Sequence, residues 1–264
     1  MTAIDIFKQS LAFYGRLFNK IFWVSLVLNL IPIIFEASKG SESQVSGTSI
    51  YDLIVFLIMI YVLLFEMVLI HRFSEHGDDD YASSFLPSLK LLPHYILQSL
   101  IIGLACIPLL ILGVSVGQLL LPIEEMQNII NSGSLDFRMI VYILPIIWFL
   151  YRAPFSQWYL VANDDTPLTA IKNSFKHTKQ NITYLKGIGF FVFLLIVNVM
   201  FSALIGKMIA LGPAISEFLV FSFNVFFAPV VTIYLYRLFI ITKPDTKAED
   251  HSSPSGSDDS DTEQ

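Results

Sequence analysis

The sequence is poor in charged residues and in cysteine. Of its 264 residues only 14% are charged and one is Cys, whereas 55% are hydrophobic and 23 are Phe. An ordinary soluble domain carries about 25% charged residues, so this composition excludes a soluble globule. A single Cys excludes a disulfide framework and any multi-thiolate metal site within one chain. The composition is that of a protein whose solvent is the lipid bilayer.

The chain also lacks an excess of positive charge. Its formal net charge is −6, and residues 243–264 contribute −5 of this because they hold seven acidic and two basic residues. The remainder is close to neutral, which excludes the basic footprint of a nucleic-acid-binding protein. Residues 243–264 also lack the apolar residues needed to form a core, so we expect a disordered acidic tail. A tail that is simply solvated is the plainer interpretation, and a tail that binds a partner is the alternative.

Six runs in the sequence are apolar enough to be considered as membrane spans. A helix rises about 1.5 Å per residue, so about 20 apolar residues cross a hydrocarbon core about 30 Å thick. The runs are Ile21–Phe35, Leu53–Ile70, Tyr95–Val116, Met139–Val161, Gly187–Ile205 and Phe218–Ile241. A cleaved signal peptide is the competing interpretation of the short first run. The long charged start and the poor cleavage site after the run favour a span.

Lysine and arginine are distributed unevenly among the connections. Counted from the N-terminal segment, every other segment outside the predicted spans holds three, two, four and three Lys or Arg residues. The remaining segments outside the spans hold three in total. Because cytoplasmic loops retain positive charge, both termini are predicted to be cytoplasmic. Residues 1–242 are then a six-span membrane domain, and residues 243–264 are a cytoplasmic tail.

An amphipathic segment precedes each of the three outward-going spans. Apolar residues recur at helical spacing in Ala3–Phe18, Tyr81–Leu92 and Pro167–Leu185. In the third segment the stripe consists of Leu168, Ile171, Phe175, Ile182 and Leu185. These patterns predict an all-α membrane protein with six transmembrane helices in three hairpins, each preceded by a cytoplasmic interfacial helix. Amphipathic linkers without any repeat relationship are the alternative.

The second half of the chain resembles a known family. The resembling features are the run ending in Leu160-Val161, the acidic turn Asp164-Asp165, Ala170-Ile171 with Ser174 in the basic helix, and the sequence V-T-I-Y-L-Y-R-L-F-I from Val231 to Ile240. With the matching length and number of spans, they make the chain similar to the YciC-type family of uncharacterised bacterial inner-membrane proteins. It is more distantly similar to the membrane domain that accompanies some glycerophosphodiester phosphodiesterases. The resemblance implies a multi-pass protein of the bacterial inner membrane and no particular activity.

Two charged residues fall inside the predicted spans. Charges in hydrocarbon are costly, so Glu66 and Arg152 attract attention as a candidate intramembrane polar pair. The rise per residue places them about 7 and 13 Å from the inner ends of their spans, a difference that a long Arg side chain can bridge. One interpretation is a polar site with Asn29, Gln157 and Asn198 nearby. The alternative, which we favour, is that the two charges staple helices together or reach the headgroups.

Other residues are candidates for contacts with lipid or with neighbouring helices. Lys172, Lys176 and Lys179 follow one edge of the third amphipathic segment, where their ammonium groups can contact headgroup phosphates. Gly113-x-x-x-Gly117 permits close approach of two helices, within the bundle or in a dimer. The loop from His71 to Asp80 holds two His and four carboxylates, but its spacing matches no zinc signature. We therefore predict no metal, no cofactor and no catalytic residue.

The sequence supports two hypotheses about function. The first is a non-enzymatic structural or assembly partner of the cell envelope, whose partners are the bilayer, its anionic headgroups and another membrane protein. The second is a transporter or lipid-handling protein that uses a polar site around Arg152 and Glu66. A polar crevice beside an unpaired Arg152 would favour the second, and a densely packed core would favour the first.

Overall fold

The fold consists of helices. The computed structural model describes residues 1–38, 50–77, 80–120, 122, 125, 140–179, 182–206 and 213–243. Within these ranges lie eight helices and no strand, so the all-α prediction is confirmed. In chain order they are α1 (Ala3–Ser38), α2 (Ile50–His76), α3 (Tyr81–Leu120), α4 (Ile140–Arg152), α5 (Ser156–Asn163), α6 (Pro167–Thr178), α7 (Ile182–Gly206) and α8 (Pro213–Thr242). The acidic segment after residue 243 lies outside the described residues.

Five of these helices are long and apolar enough to cross a membrane. The qualifying segments are Ala3–Phe35, Asp52–His76, Tyr81–Leu119, Thr183–Ile205 and Phe218–Thr242. They belong to α1, α2, α3, α7 and α8, and each contains one of the predicted runs. The described part of the chain is therefore that of a multi-pass, all-helical membrane protein.

The fourth predicted run, Met139–Val161, is not a single helix. Its residues form α4, with 13 residues, and α5, with eight residues, while Met139 lies outside the described residues. At about 1.5 Å per residue α4 is about 20 Å long, shorter than a hydrocarbon core of about 30 Å. Length alone thus gives five crossing helices rather than six.

Two of the predicted interfacial helices are not separate elements. Ala3–Phe18 and Tyr81–Leu92 are the first parts of α1 and α3, which have 36 and 40 residues. No Pro or Gly separates Phe18 from the apolar run of α1. α3 continues through Pro87 and Pro93. Membrane helices tolerate internal prolines when neighbouring groups satisfy the freed backbone carbonyls. At about 54 and 60 Å, both helices are much longer than the hydrocarbon core is thick.

The third amphipathic segment, Pro167–Leu185, divides into two helices. α6 ends at Thr178 and α7 begins at Ile182, so the last predicted residues belong to the next membrane helix. The start of α6 is as predicted. Thr166 occupies the N-cap position, and Pro167 lies in the first turn, where its missing N–H leaves no bond unmade.

Close helix packing depends on three glycines. α1 packs against both α2 and α8, α3 packs against α2 and α4, and α7 packs against α8. A Cβ atom on Gly117 of α3 would lie 2.8 Å from the ring of Tyr142 in α4, and one on Gly113 would collide with the carbonyl oxygen of Tyr142. A Cβ atom on Gly187 of α7 would similarly collide with Leu238 of α8. The Gly113-x-x-x-Gly117 motif thus acts inside the bundle.

The buried core lies toward one end of the bundle. Its residues come from the first half of α1, the second half of α2, the first half of α7, the second half of α8 and the short helices α5 and α6, with Tyr95 from α3. In contrast, the apolar residues of α3 are largely exposed, including Leu104, Ile107 and Ile111 at 55–60%. Exposed apolar faces of this size are expected where the surrounding solvent is lipid. The tightly packed end is the one that carries the candidate site.

Candidate functional site

The chain bends between α4 and α5. Pro154 has no N–H to donate to the carbonyl of Leu150, and its ring crowds that carbonyl, so a continuous helix is interrupted here. The amide of Ala153 still donates to the carbonyl of Phe149, at 3.0 Å, and the amide of Ser156 turns back to the carbonyl of Ala153 at 3.0 Å. The bend leaves backbone groups without partners inside the helix.

Two side chains from other helices satisfy the free backbone groups. Ser174 of α6 donates its hydroxyl to the carbonyl of Arg152 at 2.8 Å and accepts the amide of Phe155 at 3.2 Å. Tyr184 of α7 donates its hydroxyl to the carbonyl of Tyr151. A buried polar group left unsatisfied costs about 1–3 kcal/mol, so these bonds stabilise the bend. They also attach α6 and α7 to the end of α4.

His177 joins three helices through both of its ring nitrogens. The hydroxyl of Thr242 in α8 donates to the carbonyl of Leu238 at 2.6 Å, so its oxygen accepts from His177 Nε2, 2.7 Å away. His177 Nδ1 then accepts the hydroxyl of Tyr159 in α5, at 3.0 Å. This assignment follows from the network, since each nitrogen of a neutral imidazole has one role. α5, α6 and the end of α8 are thereby linked.

The environment of His177 favours the neutral imidazole. Burial lowers the pKa of His177 to about 4; the ammonium of Lys243 adds to this effect, and the hydrogen bond to Thr242 opposes it. The ring is only 4% exposed and lies 4.6 Å, centroid to centroid, from the ring of Phe155. At neutral pH His177 is therefore an uncharged structural link and not a cationic ligand.

Aromatic side chains surround this link and form what we call the aromatic layer. Its members are Phe155, Trp158, Tyr159, Tyr184, Tyr236 and Phe239, none of them more than 5% exposed. The rings of Trp158 and Tyr236 lie 4.8 Å apart, and the hydroxyl of Tyr236 lies 3.1 Å from Nδ1 of His71 in α2. The aromatic layer connects α2, α5, α7 and α8.

An acidic turn brings α6 back against α5. Asp164 ends α5 in the left-handed region, with φ of 55°, a conformation that Asp tolerates better than most residues. Asp165 accepts a hydrogen bond from the side-chain amide of Asn173 at 2.8 Å. Phe155, at the N-cap of α5, and Tyr159 within it then contact His177, near the end of α6, so the two helices run antiparallel.

The side of α6 that is buried in the protein is not its apolar stripe. The side chains it buries are Pro167, Ala170, Ser174, His177 and Thr178. In contrast, Leu168 of the predicted apolar stripe is 67% exposed, and Phe175 packs only at the side, against Trp148 and Phe149 of α4. The hydrogen bonds of Ser174 and His177 orient the helix, so its polar side is the one buried in the protein.

The exposed face of α6 is basic and apolar. Lys172, Lys176 and Lys179 are all exposed, as is Leu168. We call these four residues the lysine face. Leu168, Lys172 and Lys176 are four residues apart and therefore follow one side of the helix. The arrangement suits a boundary between hydrocarbon and phosphate, because Lys stems can cover apolar surface while their ammonium groups remain in water.

The structure does not bring Glu66 and Arg152 together. Neither forms an ion pair among the described residues, although Glu66 is only 2% exposed. The carboxyl group of Glu66 acts electrostatically on Tyr14 of α1, whereas the guanidinium of Arg152 acts on Tyr184 of α7. Arg152 also lies over the ring of Tyr151, 5.6 Å from its centroid. The two charges thus face different helices.

Several buried polar atoms, those of Glu66 and Arg152 included, have no hydrogen-bond partner within the described part of the chain. They are Glu66 Oε1, the hydroxyls of Tyr14 and Tyr61, both amide atoms of Gln98, Arg152 Nη1 and Arg237 Nε. The expected polar neighbours are occupied elsewhere: Asn29 bonds Ser25, Asn198 bonds Asn224, and Gln157 bonds Tyr95. Buried polar atoms without partners are rare in native proteins. They are spread over α1, α2, α3, α4 and α8 and do not define a ligand.

The described residues contain no group of three or more His, Cys, Asp or Glu side chains placed to hold a metal ion. Two of the ten residues of the His71 to Asp80 loop, 78 and 79, lie outside that part of the chain. The one cysteine, Cys106, is a half-buried free thiol on α3.

Fold and site together define a multi-pass all-helical membrane protein with a bent helix at its packed end and a basic helix fixed to that bend. No protein-family model matches the chain, and searches of curated proteins and of solved structures find no similar protein.

Proposed function

We propose that this is a six-span, non-enzymatic protein of the bacterial inner membrane that serves as a structural or assembly partner and binds anionic headgroups through the lysine face. The observation that carries the proposal is the orientation of α6. One side of this helix is held by Ser174 and His177, while the other side displays lysines next to an exposed leucine. A side chain arrangement held in place before binding loses less conformational freedom when a ligand is bound.

A sixth crossing is supported by the path of α4 and α5 along α3. Tyr142, near the start of α4, contacts Gly113 and Gly117, and Gln157 of α5 bonds Tyr95. The 18 residues from Tyr95 to Gly113 on α3 correspond to about 27 Å, close to the thickness of the hydrocarbon core. The bent pair α4–α5 therefore covers the length that one straight span would cover.

The proposed orientation puts the lysine face and the end of α8 in the cytoplasm. The hydrogen bond between His177 and Thr242 requires both to be on the same side of the membrane. Three lysines on α6 and the excess of Lys and Arg in alternate connections favour the cytoplasmic side. Membership of the YciC-type family, which the sequence resembles, is part of this proposal and rests on the resemblance alone.

The headgroup-binding function is tested by charge removal. We expect the double variant K172Q/K179Q to bind phosphatidylglycerol about 30-fold more weakly than the parent chain, because each surface lysine contributes about 1 kcal/mol toward an anionic lipid surface. The measurement is a titration of the detergent-solubilised protein with this lipid, followed by native mass spectrometry.

The matched control is K8Q/K90Q, which removes two exposed lysines from α1 and α3. This control should change the affinity less than threefold, or by about 0.6 kcal/mol, because the proposed binding site is the lysine face and neither Lys8 nor Lys90 belongs to it. Equal losses in the two double variants would show that only net charge matters, and the proposed role of α6 would then be rejected. Phosphatidylcholine should bind all three proteins alike.

The second candidate function is transport or lipid handling, and the unpartnered buried atoms of Glu66 and Arg152 favour it. Replacing Glu66 by Gln and Arg152 by Leu distinguishes the candidates through the abundance of the protein and the phenotype of a deletion strain. Normal abundance with complete loss of function would support a polar transport site. Loss of abundance in proportion to loss of function would support a structural role.

A further inference from the structure

The end of α8 is bonded to α5 and to α6, the helix that carries the lysine face. Thr242 is bonded to His177 on α6, and the ammonium of Lys243 donates to the side-chain oxygen of Asn163 at 2.7 Å. The two contacts hold the last described residues of the chain beside α5 and α6. The chain therefore continues after residue 243 from a point beside α5 and α6.

The residues that follow are strongly acidic. Residues 244–264 contain seven acidic side chains and one lysine, a formal charge of −6, whereas the exposed face of α6 carries Lys172, Lys176 and Lys179. At no more than about 3.6 Å per residue, 21 residues reach up to about 75 Å, and α6, with 12 residues, is about 18 Å long. The acidic segment is thus long enough to reach every lysine of the face.

We propose, on the basis of the headgroup-binding function above, that residues 244–264 bind the lysine face and compete there with anionic lipid. The segment is attached to the structure beside its target, so its effective concentration is in the millimolar range. Even a contact of millimolar affinity is then half occupied, without any need for a folded interface. Carboxylates and lipid phosphates have the same attraction for ammonium groups, which makes the two occupants mutually exclusive.

Zero-length carbodiimide cross-linking tests the contact directly. The full chain is treated in an uncharged detergent without lipid, and cross-linked peptides are counted relative to the reactivity of each lysine toward an amine reagent. We expect carboxylates of residues 244–264 to couple to Lys172, Lys176 and Lys179 in clear excess over Lys90, which is exposed on α3. The excess should fall in 0.5 M salt, where the screening length is about 4 Å, and on addition of phosphatidylglycerol.

Two results would overturn the proposal. One is cross-linking to α6 that does not exceed cross-linking to Lys90. The other is coupling only between different chains, which a mixture of isotopically light and heavy protein reveals.

A lipid titration separates this proposal from the headgroup-binding function. We expect the full chain with all seven tail carboxylates replaced by amides to bind phosphatidylglycerol at least about twofold more tightly, because a half-occupied competitor has been removed. An unchanged affinity that still depends on Lys172 and Lys179 would reject the tail contact and leave the headgroup-binding function standing. If cross-links to α6 form but replacing Lys172 and Lys179 leaves the affinity for phosphatidylglycerol unchanged, the tail contact is supported and the headgroup-binding function is rejected.

Discussion

Ser174 provides the sharpest test of how α6 is held. Replacing it by Ala removes the donor to the Arg152 carbonyl and the acceptor of the Phe155 amide, at 2.8 and 3.2 Å. Phe155 and Ser174 are fully buried, so water cannot easily replace either bond. At about 1–3 kcal/mol for each orphaned group, and with partial relaxation, we expect a loss of about 2–4 kcal/mol in the free energy of unfolding.

The assay for Ser174→Ala is thermal unfolding in detergent beside a matched variant, Ser115→Ala. Ser115 is exposed on α3 and donates its hydroxyl at 2.8 Å to the Ile111 carbonyl within its own helix, so its loss should change stability by less than about 0.5 kcal/mol. A loss of 2 kcal/mol corresponds to about 4–8 °C in Tm for a chain of this size. Ser174→Ala should also accelerate tryptic cleavage at the α6 lysines. Equal melting temperatures and equal cleavage in the two variants would refute the role of Ser174 in holding α6.

Two further predictions concern His177 of α6 and Gly113 of α3. Because the pKa of His177 is lowered from its ordinary value of 6.5 to about 4, the unfolded chain gains a proton between these pH values and the folded one does not. The stability of the folded chain should therefore fall as pH decreases from 6.5 to 4. The difference in melting temperature between wild type and His177→Gln, measured at each pH, should shrink over this range. A difference that stays constant would contradict the lowered pKa of His177. Gly113→Ala should destabilise the protein by about 1–3 kcal/mol, because its Cβ meets the backbone of Tyr142, whereas Gly103→Ala, with open space around it, should not. Equal melting of the two glycine variants would contradict the packing of α3 on α4.

Hydropathy predicted five of the observed helices because the length of an apolar run is a local property. It did not predict that α1 and α3 continue through their amphipathic starts. In α1 no residue near Phe18 interrupts the helix, and in α3 the helix continues through Pro93. Pro154 was visible in the sequence as a weak point of the fourth run. The side chains that bond the backbone around it, Ser174 and Tyr184, come 20 and 30 residues later. Only the tertiary arrangement brings them to the bend.

The expected Glu66–Arg152 pair was based on depth alone. Rise per residue gives the height of a side chain along the membrane normal but not its direction around the helix axis. In the described part of the chain Glu66 and Arg152 form no ion pair, so similar depth does not produce contact. His177 was overlooked because the apolar stripe and the lysines of α6 were the prominent features of its sequence pattern. The available signal was the spacing of Ala170, Ser174 and His177, which places two small residues and one imidazole on a single helical side.

The fastening of α6 at Ser174 and at His177 determines the height of its ammonium groups relative to the bundle. A free amphipathic helix settles at whatever depth the surrounding lipid favours, whereas this one moves only with the whole protein. In a thicker bilayer the lysines would be drawn toward hydrocarbon, and in a thinner one they would rise away from the phosphates, at a cost of fractions of a kcal/mol per Å. If α6 binds headgroups as proposed, the affinity of the protein for lipid should therefore depend on bilayer thickness.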